Sequence, residues 1–120
     1  MNKYKQLNVW QLSVDLATEV YRLTSRFPDK ERFGLITQIN HSVVSVSSNI
    51  AEGAGRNTDK DFAHFIGIAV GSLFELETQL IISKNLNYLS EPELSEIQSK
   101  ISSIQKMLSS LQLKLYSKNN

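Results

Sequence analysis

Three stretches of this chain repeat one apolar rhythm, three residues then four, and that rhythm demands helices packed side by side. Ile36, Ile39, Val43, Val46 and Ile50 follow it. So do Phe62, Ile66, Ala69, Leu73, Leu76 and Leu80, and then Leu94, Ile97, Ile101, Ile104, Leu108, Leu111 and Leu115. At 3.6 residues per turn such positions fall on one stripe of a helix, and the stripe is useful only when another helix covers it. The β-branched residues of the first stretch invite a strand reading. A strand that long would be unusual, however, and its pattern would have period two. A fourth stripe, nearer the start, runs through Leu12, Leu16, Val20, Leu23 and Phe27, widened by Trp10, Val14, Ala17 and Tyr21.

Punctuation places the ends. Pro28 closes the first segment, because the residue before proline avoids the helical region, and Asp29 is then expected to cap the second. Thr58 with Asp61, and Ser90 with Glu93 and Pro92, read as capping boxes. Helices are therefore expected at about 9–25, 30–52, 59–86 and 91–116, with links near 26–29, 54–58 and 87–90. Gly67 and Gly71 share a face of the third and are expected to let another backbone approach closely. Short links make neighbours antiparallel. The fold class is all-α, an antiparallel up-down-up-down four-helix bundle, one domain over residues 1–120.

Several function classes fall away. Without cysteine the chain has no thiol nucleophile, Cys-ligated zinc or disulfide frame. Thirteen basic against twelve acidic residues give a formal net charge of +1, too little to advertise a polyanion partner by itself. The opening MNKYKQLNVW lacks the apolar stretch of a secretory signal. The run 62-FAHFIGIAVGSLF-74 contains His, Gly and Ser and falls short of the roughly 20 residues that a membrane span needs. A cytoplasmic location and no membrane partner are expected.

The stretch 49-NIAEGAGR-56 looks most like a cofactor loop. It has no strand before it and no Gly-Lys-Ser/Thr ending, so it fits neither a dinucleotide fingerprint nor a phosphate loop. It reads as the end of the second helix, with Gly53 and Gly55 expected in a left-handed cap and Glu52 four residues before Arg56. Paired carboxylates such as Glu52 and Glu75 can hold a metal between helices, but a bundle diiron site needs Glu-x-x-His motifs, and none occurs. His41 and His64 stand apart. Glu52 and Glu75 are expected to find partners among Arg56, Asn49, Gln38 and Gln79. Ser42, Ser45, Ser47 and Ser48 supply small residues for close helix packing. No catalytic residue, metal or cofactor is expected, and the chain is not read as an enzyme. Arg56, Lys60, Lys3 and Lys5 are the candidate nucleic-acid contacts, Arg56 with the exposed amides that open the third helix.

Trp10, the 26-RFP-28 turn, Leu35, Gln38, 48-SNIAEGAGR-56, Phe62, Phe65, 69-AVGSLFELETQL-80 and 86-LNYL-89 together resemble the bacterial four-helix bundle proteins encoded within intervening sequences of 23S ribosomal RNA genes, the S23 ribosomal protein family. The resemblance covers nearly the whole chain. It extends to the accessory protein of diversity-generating retroelements, which forms a five-fold barrel with a basic surface for nucleic acid and a reverse transcriptase. It implies a homopentamer and assigns Asn49, Glu52, Gly53, Gly55, Arg56, Ser72 and Glu75 to a structural signature joining helices two and three. Asn40 and His41 stand where relatives commonly carry a basic pair, and Ser47 where a proline is common. The expected function is that of a noncatalytic oligomeric protein that binds structured RNA or DNA. The alternative is a structural or protein–protein interaction module that binds no nucleic acid.

Overall fold

The computed structural model describes residues 3–117. A 3₁₀ turn, Tyr4–Gln6, leads into helix α1 (Asn8–Thr24). A second 3₁₀ turn, Asp29–Glu31, precedes α2 (Leu35–Ala54), and α3 (Asp59–Asn85) and α4 (Glu91–Ser117) follow. The described residues contain no strand. Each helix packs on its sequence neighbours and α1 closes on α4, the weakest of the four seams. The bundle measures 48 × 22 × 20 Å, so the 27-residue helices α3 and α4 run along its length.

The heptad stripes form the core. Ile39, Val43, Val46 and Ile50 of α2 meet Ile66, Ala69, Leu73, Leu76 and Leu80 of α3 and Ile104 and Leu108 of α4, all nearly inaccessible to water. Val9, Leu16, Val20, Leu23 and Phe27 complete it from the α1 side. Leu12 and Tyr21, placed on the α1 stripe by spacing alone, are instead exposed, because α1 buries a narrower face than its apolar content suggests. Trp10 packs against the core edge. The buried hydroxyls of Ser13 and Ser83 each donate to the carbonyl four residues earlier, while Ser42 has Glu75 Oε1 at 2.7 Å and Thr24 has Asn40 Oδ1 at 2.9 Å as nearest acceptors, so each is satisfied without interrupting the apolar interior.

Three ends differ from the reading above. The second helix does not start at residue 30. Asp29 does not cap it but pairs with Arg32 at 3.0 Å. The chain makes a 3₁₀ turn and then a break at Gly34, leaving Phe33 90% exposed. Glu31 stands in as the carboxylate at the start of α2, with Oε1 3.5 Å from the Leu35 amide. The glycines Gly53 and Gly55 do not adopt a left-handed cap either: among described residues only Asn87 has positive φ, at 64°. Asn87 ends α3 in a Schellman motif, the Tyr88 amide donating to the Ser83 carbonyl and the Asn87 amide to that of Lys84, each at 2.9 Å. Gly67 and Gly71 face no backbone. A Cβ on Gly71 would meet open space, and one on Gly67 only the Gln112 amide.

Candidate functional site

The site with the densest polar chemistry is the seam between α2 and α3. Beside its core stripe, α2 carries a second stripe one residue away, Gln38, Ser42, Ser45, Asn49 and Glu52, continued past its end by Arg56. On α3 the matching positions are Phe65, Ser72, Glu75 and Gln79. Antiparallel packing pairs them in order. At the link end the Arg56 guanidinium donates to Glu52 Oε1 at 2.8 Å and lies 4.7 Å above the centre of the Phe65 ring. In the middle, Asn49 Nδ2 donates to the Ser45 carbonyl and to Ser45 Oγ, and Ser72 Oγ donates to Ser45 Oγ at 3.0 Å. Further along, Ser42 Oγ lies 2.7 Å from Glu75 Oε1 and 3.0 Å from Gln79 Oε1.

Gly53 explains how close the two helices come. It sits inside α2, fully buried, and a Cβ built on it would stand 2.7 Å from Phe65 Cβ and 2.9 Å from the Phe62 ring. The glycine is required by helix–helix contact rather than by backbone conformation. Gly55 follows α2 in ordinary right-handed geometry and is exposed. Of the seven signature positions, the structure thus brings Gly53, Ser72 and Glu75 onto the α2–α3 contact, with Asn49 joined to it through Ser45. Glu52 and Arg56 close its end through Phe65.

This seam offers little chemistry of the catalytic kind. Glu52 and Glu75 engage different partners at different levels of the bundle. Among the described residues, no group of three or more His, Cys, Asp or Glu could hold a metal. His64 packs edge-on against Phe65 at 5.7 Å, and His41 faces outward beside Tyr21, Thr37, Asn40 and Val44.

The candidate nucleic-acid contacts share one end. Tyr4 reaches the end of α2 and lines a depression with Ser48, Ala51, Glu52, Gly55 and Arg56, which brings the turn carrying Lys3 and Lys5 beside Arg56. Lys60 lies in the first turn of α3 at the same end. Arg56 is already committed to Glu52 and Phe65, so a phosphate would have to compete for it.

A second clasp, invisible in the heptad pattern, holds the opposite end. The ring of Tyr88 packs on Phe27 at 5.4 Å and its hydroxyl donates to Glu31 Oε2 at 2.8 Å, while Arg26 pairs with Glu93. The Glu31 hydrogen bond raises the Tyr88 pKa above the ordinary phenol value, aided by burial and by the Glu31 charge. The motifs 26-RFP-28 and 86-LNYL-89 are therefore two halves of one contact.

The model of the family described as 23S rRNA-intervening sequence protein matches residues 5–110. The chain belongs to that family. A crystal structure of a protein of unknown function from the S23 ribosomal protein family, from Bacteroides thetaiotaomicron, superposes with a TM-score of 0.78 over 87% of this chain and 97% of that one, at 23% identity. That likeness is one of fold. No curated protein matches the chain.

Proposed function

We propose that this family member is a noncatalytic scaffold that works as a homo-oligomer, with the outward faces of α2 and α3 closed by further copies of the chain. One observation carries the proposal. From Phe33 to Ala51 and from Phe62 to Phe74 there is no Asp, Glu, Lys or Arg, and the antiparallel register sets these two charge-free windows side by side. Their outer surface presents Val44, Ile68 at 40% exposure and Phe74 at 52%. An 18-residue window of α3 has a mean hydropathy of 1.6, yet only 28% of it is buried by the bundle itself. By length and composition alone α3 could cross a membrane. Its core stripe is instead spent on the other helices, and what is left over suits a subunit interface, where apolar residues gather and charges are depleted. The resemblance supplies the number five.

Binding of structured RNA or DNA is the second part of this reading. The family description supplies the link to RNA, and the end bearing Lys3, Lys5, Arg56 and Lys60 supplies the surface. The structural-module alternative differs only here. Both parts are testable on nuclease-treated protein. Val44→Glu with Ile68→Glu should reduce the sedimentation mass to one chain while leaving helicity intact, and an unchanged mass would reject this interface. Binding of a structured RNA should weaken steeply with salt and with Lys3→Glu and Lys5→Glu. No binding at low salt by an intact oligomer would leave the structural module.

A further inference from the structure

The α1–α4 seam lies on the opposite side of the bundle from the proposed interface, and it is open. Near its end a groove of about 410 Å³ separates the start of α1 from the last turns of α4. Leu7, Val9, Met107 and Leu111 form its floor, and Lys106 and Lys114 stand along its α4 side. Such a volume is at the lower end of the range for ligand sites, roughly 300–1,000 Å³. The two segments that line it are one-sided in charge. Residues 3–14 and 97–117 contain five lysines and no Asp or Glu. Lys100 is used, donating to Glu19 at 2.6 Å. Lys106 and Lys114 have no carboxylate within reach among the described residues.

We propose that this groove docks a short segment of a partner protein that carries two acidic side chains flanking apolar ones. The carboxylates seat on Lys106 and Lys114, and the apolar side chains between them fill the floor over Met107 and Leu111. Eight residues of helix separate the lysines by about 12 Å, so the partner presents its carboxylates at about that spacing. Charge complementarity sets the partner's orientation, and the apolar floor supplies the gain from burial. A nucleic acid would use the lysines but waste the floor. The lining of the groove itself includes no aromatic ring on which a base could stack.

The test uses the full chain labelled at the methionine methyl groups, and a 15-residue amphipathic helical peptide with Glu at positions 4 and 12 and Leu and Met between. Titration should shift the Met107 methyl resonance. Lys106→Glu with Lys114→Glu should weaken binding at least roughly tenfold, whereas the charge-matched pair Arg22→Glu with Lys30→Glu should bind like the parent. Both pairs replace exposed side chains, and unchanged thermal melting verifies the fold. An unmoved Met107 at saturating peptide overturns the proposal, as does an equal loss in the control pair. Tighter, Met107-shifting binding of a single-stranded oligonucleotide or of anionic phosphatidylglycerol vesicles also overturns it. The oligomer test reads a different face, so either result can fail alone.

Discussion

Gly53 and Asn87 show how much a single residue decides in this bundle. Gly53 sits where α2 presses on Phe62 and Phe65, and its missing Cβ is what permits the approach. Gly53→Val should therefore cost roughly 1–3 kcal/mol through overpacking, read as a shift in the denaturant midpoint. An unchanged midpoint would mean that the two helices stand further apart. A glycine in a sequence marks either a special backbone angle or a close contact. The residues that distinguish these lie in another helix, so the cap reading of Gly53 was open to error. Asn87 is the opposite case: it holds the left-handed position at the end of α3. Asn87→Ala should cost about 1 kcal/mol, and Asn87→Gly should cost nothing or stabilise slightly. Equal melting of the two variants would contradict the assignment. The signal was available in Asn87 itself, since asparagine is the commonest non-glycine residue at that position.

At the scale of helices, what is local was legible and what is distant was not. The start of α3 follows its capping residue, Thr58 accepting from the Asp61 amide at 3.1 Å. That of α4 follows its box, with the Ser90 amide donating to Glu93 at 2.8 Å and the Glu93 amide to Ser90 Oγ at 3.3 Å. Both motifs join residues only three apart. The start of α2 was misplaced because its carboxylate, Glu31, lies before a break rather than at a cap. The Arg26–Glu93 pair could not be foreseen, since 67 residues separate its members. That pair gives α4 a pH dependence. Glu93 is held below the ordinary carboxylate pKa first by the Ser90 amide and then by Arg26. A lowered carboxylate pKa stabilises the fold above the unfolded value, and this is lost as pH falls through the folded one. Glu93→Gln should flatten the loss of stability with acid, measured by melting from neutral pH down through the carboxylate range. A parallel acid limb would show that the Glu93 carboxylate is inconsequential. Lys100, raised by its hydrogen bond to Glu19, works in the other direction and loses its contribution only in strong base.

For the whole molecule, the four stripes were enough to specify the bundle, because heptad spacing carries both helix and partner face. The α2–α3 signature was legible as a set of residues but not as a ladder, since register emerges only when the helices are docked. What the bundle leaves uncovered is the more telling feature. Two charge-free windows adjoin one another, and Ile68, Phe74, Ile81 and Ile82 of α3 stay exposed outside the core. Under the proposed function a second copy of the chain is the cover, which needs no other gene product and repeats one self-consistent contact around a ring. The most direct test is the mass of the untagged, nuclease-treated protein by light scattering. The account predicts a multiple of the 13.6 kDa chain, five copies if the resemblance carries over. A mass of one chain at all concentrations would contradict it and leave the α2–α3 face to a different partner.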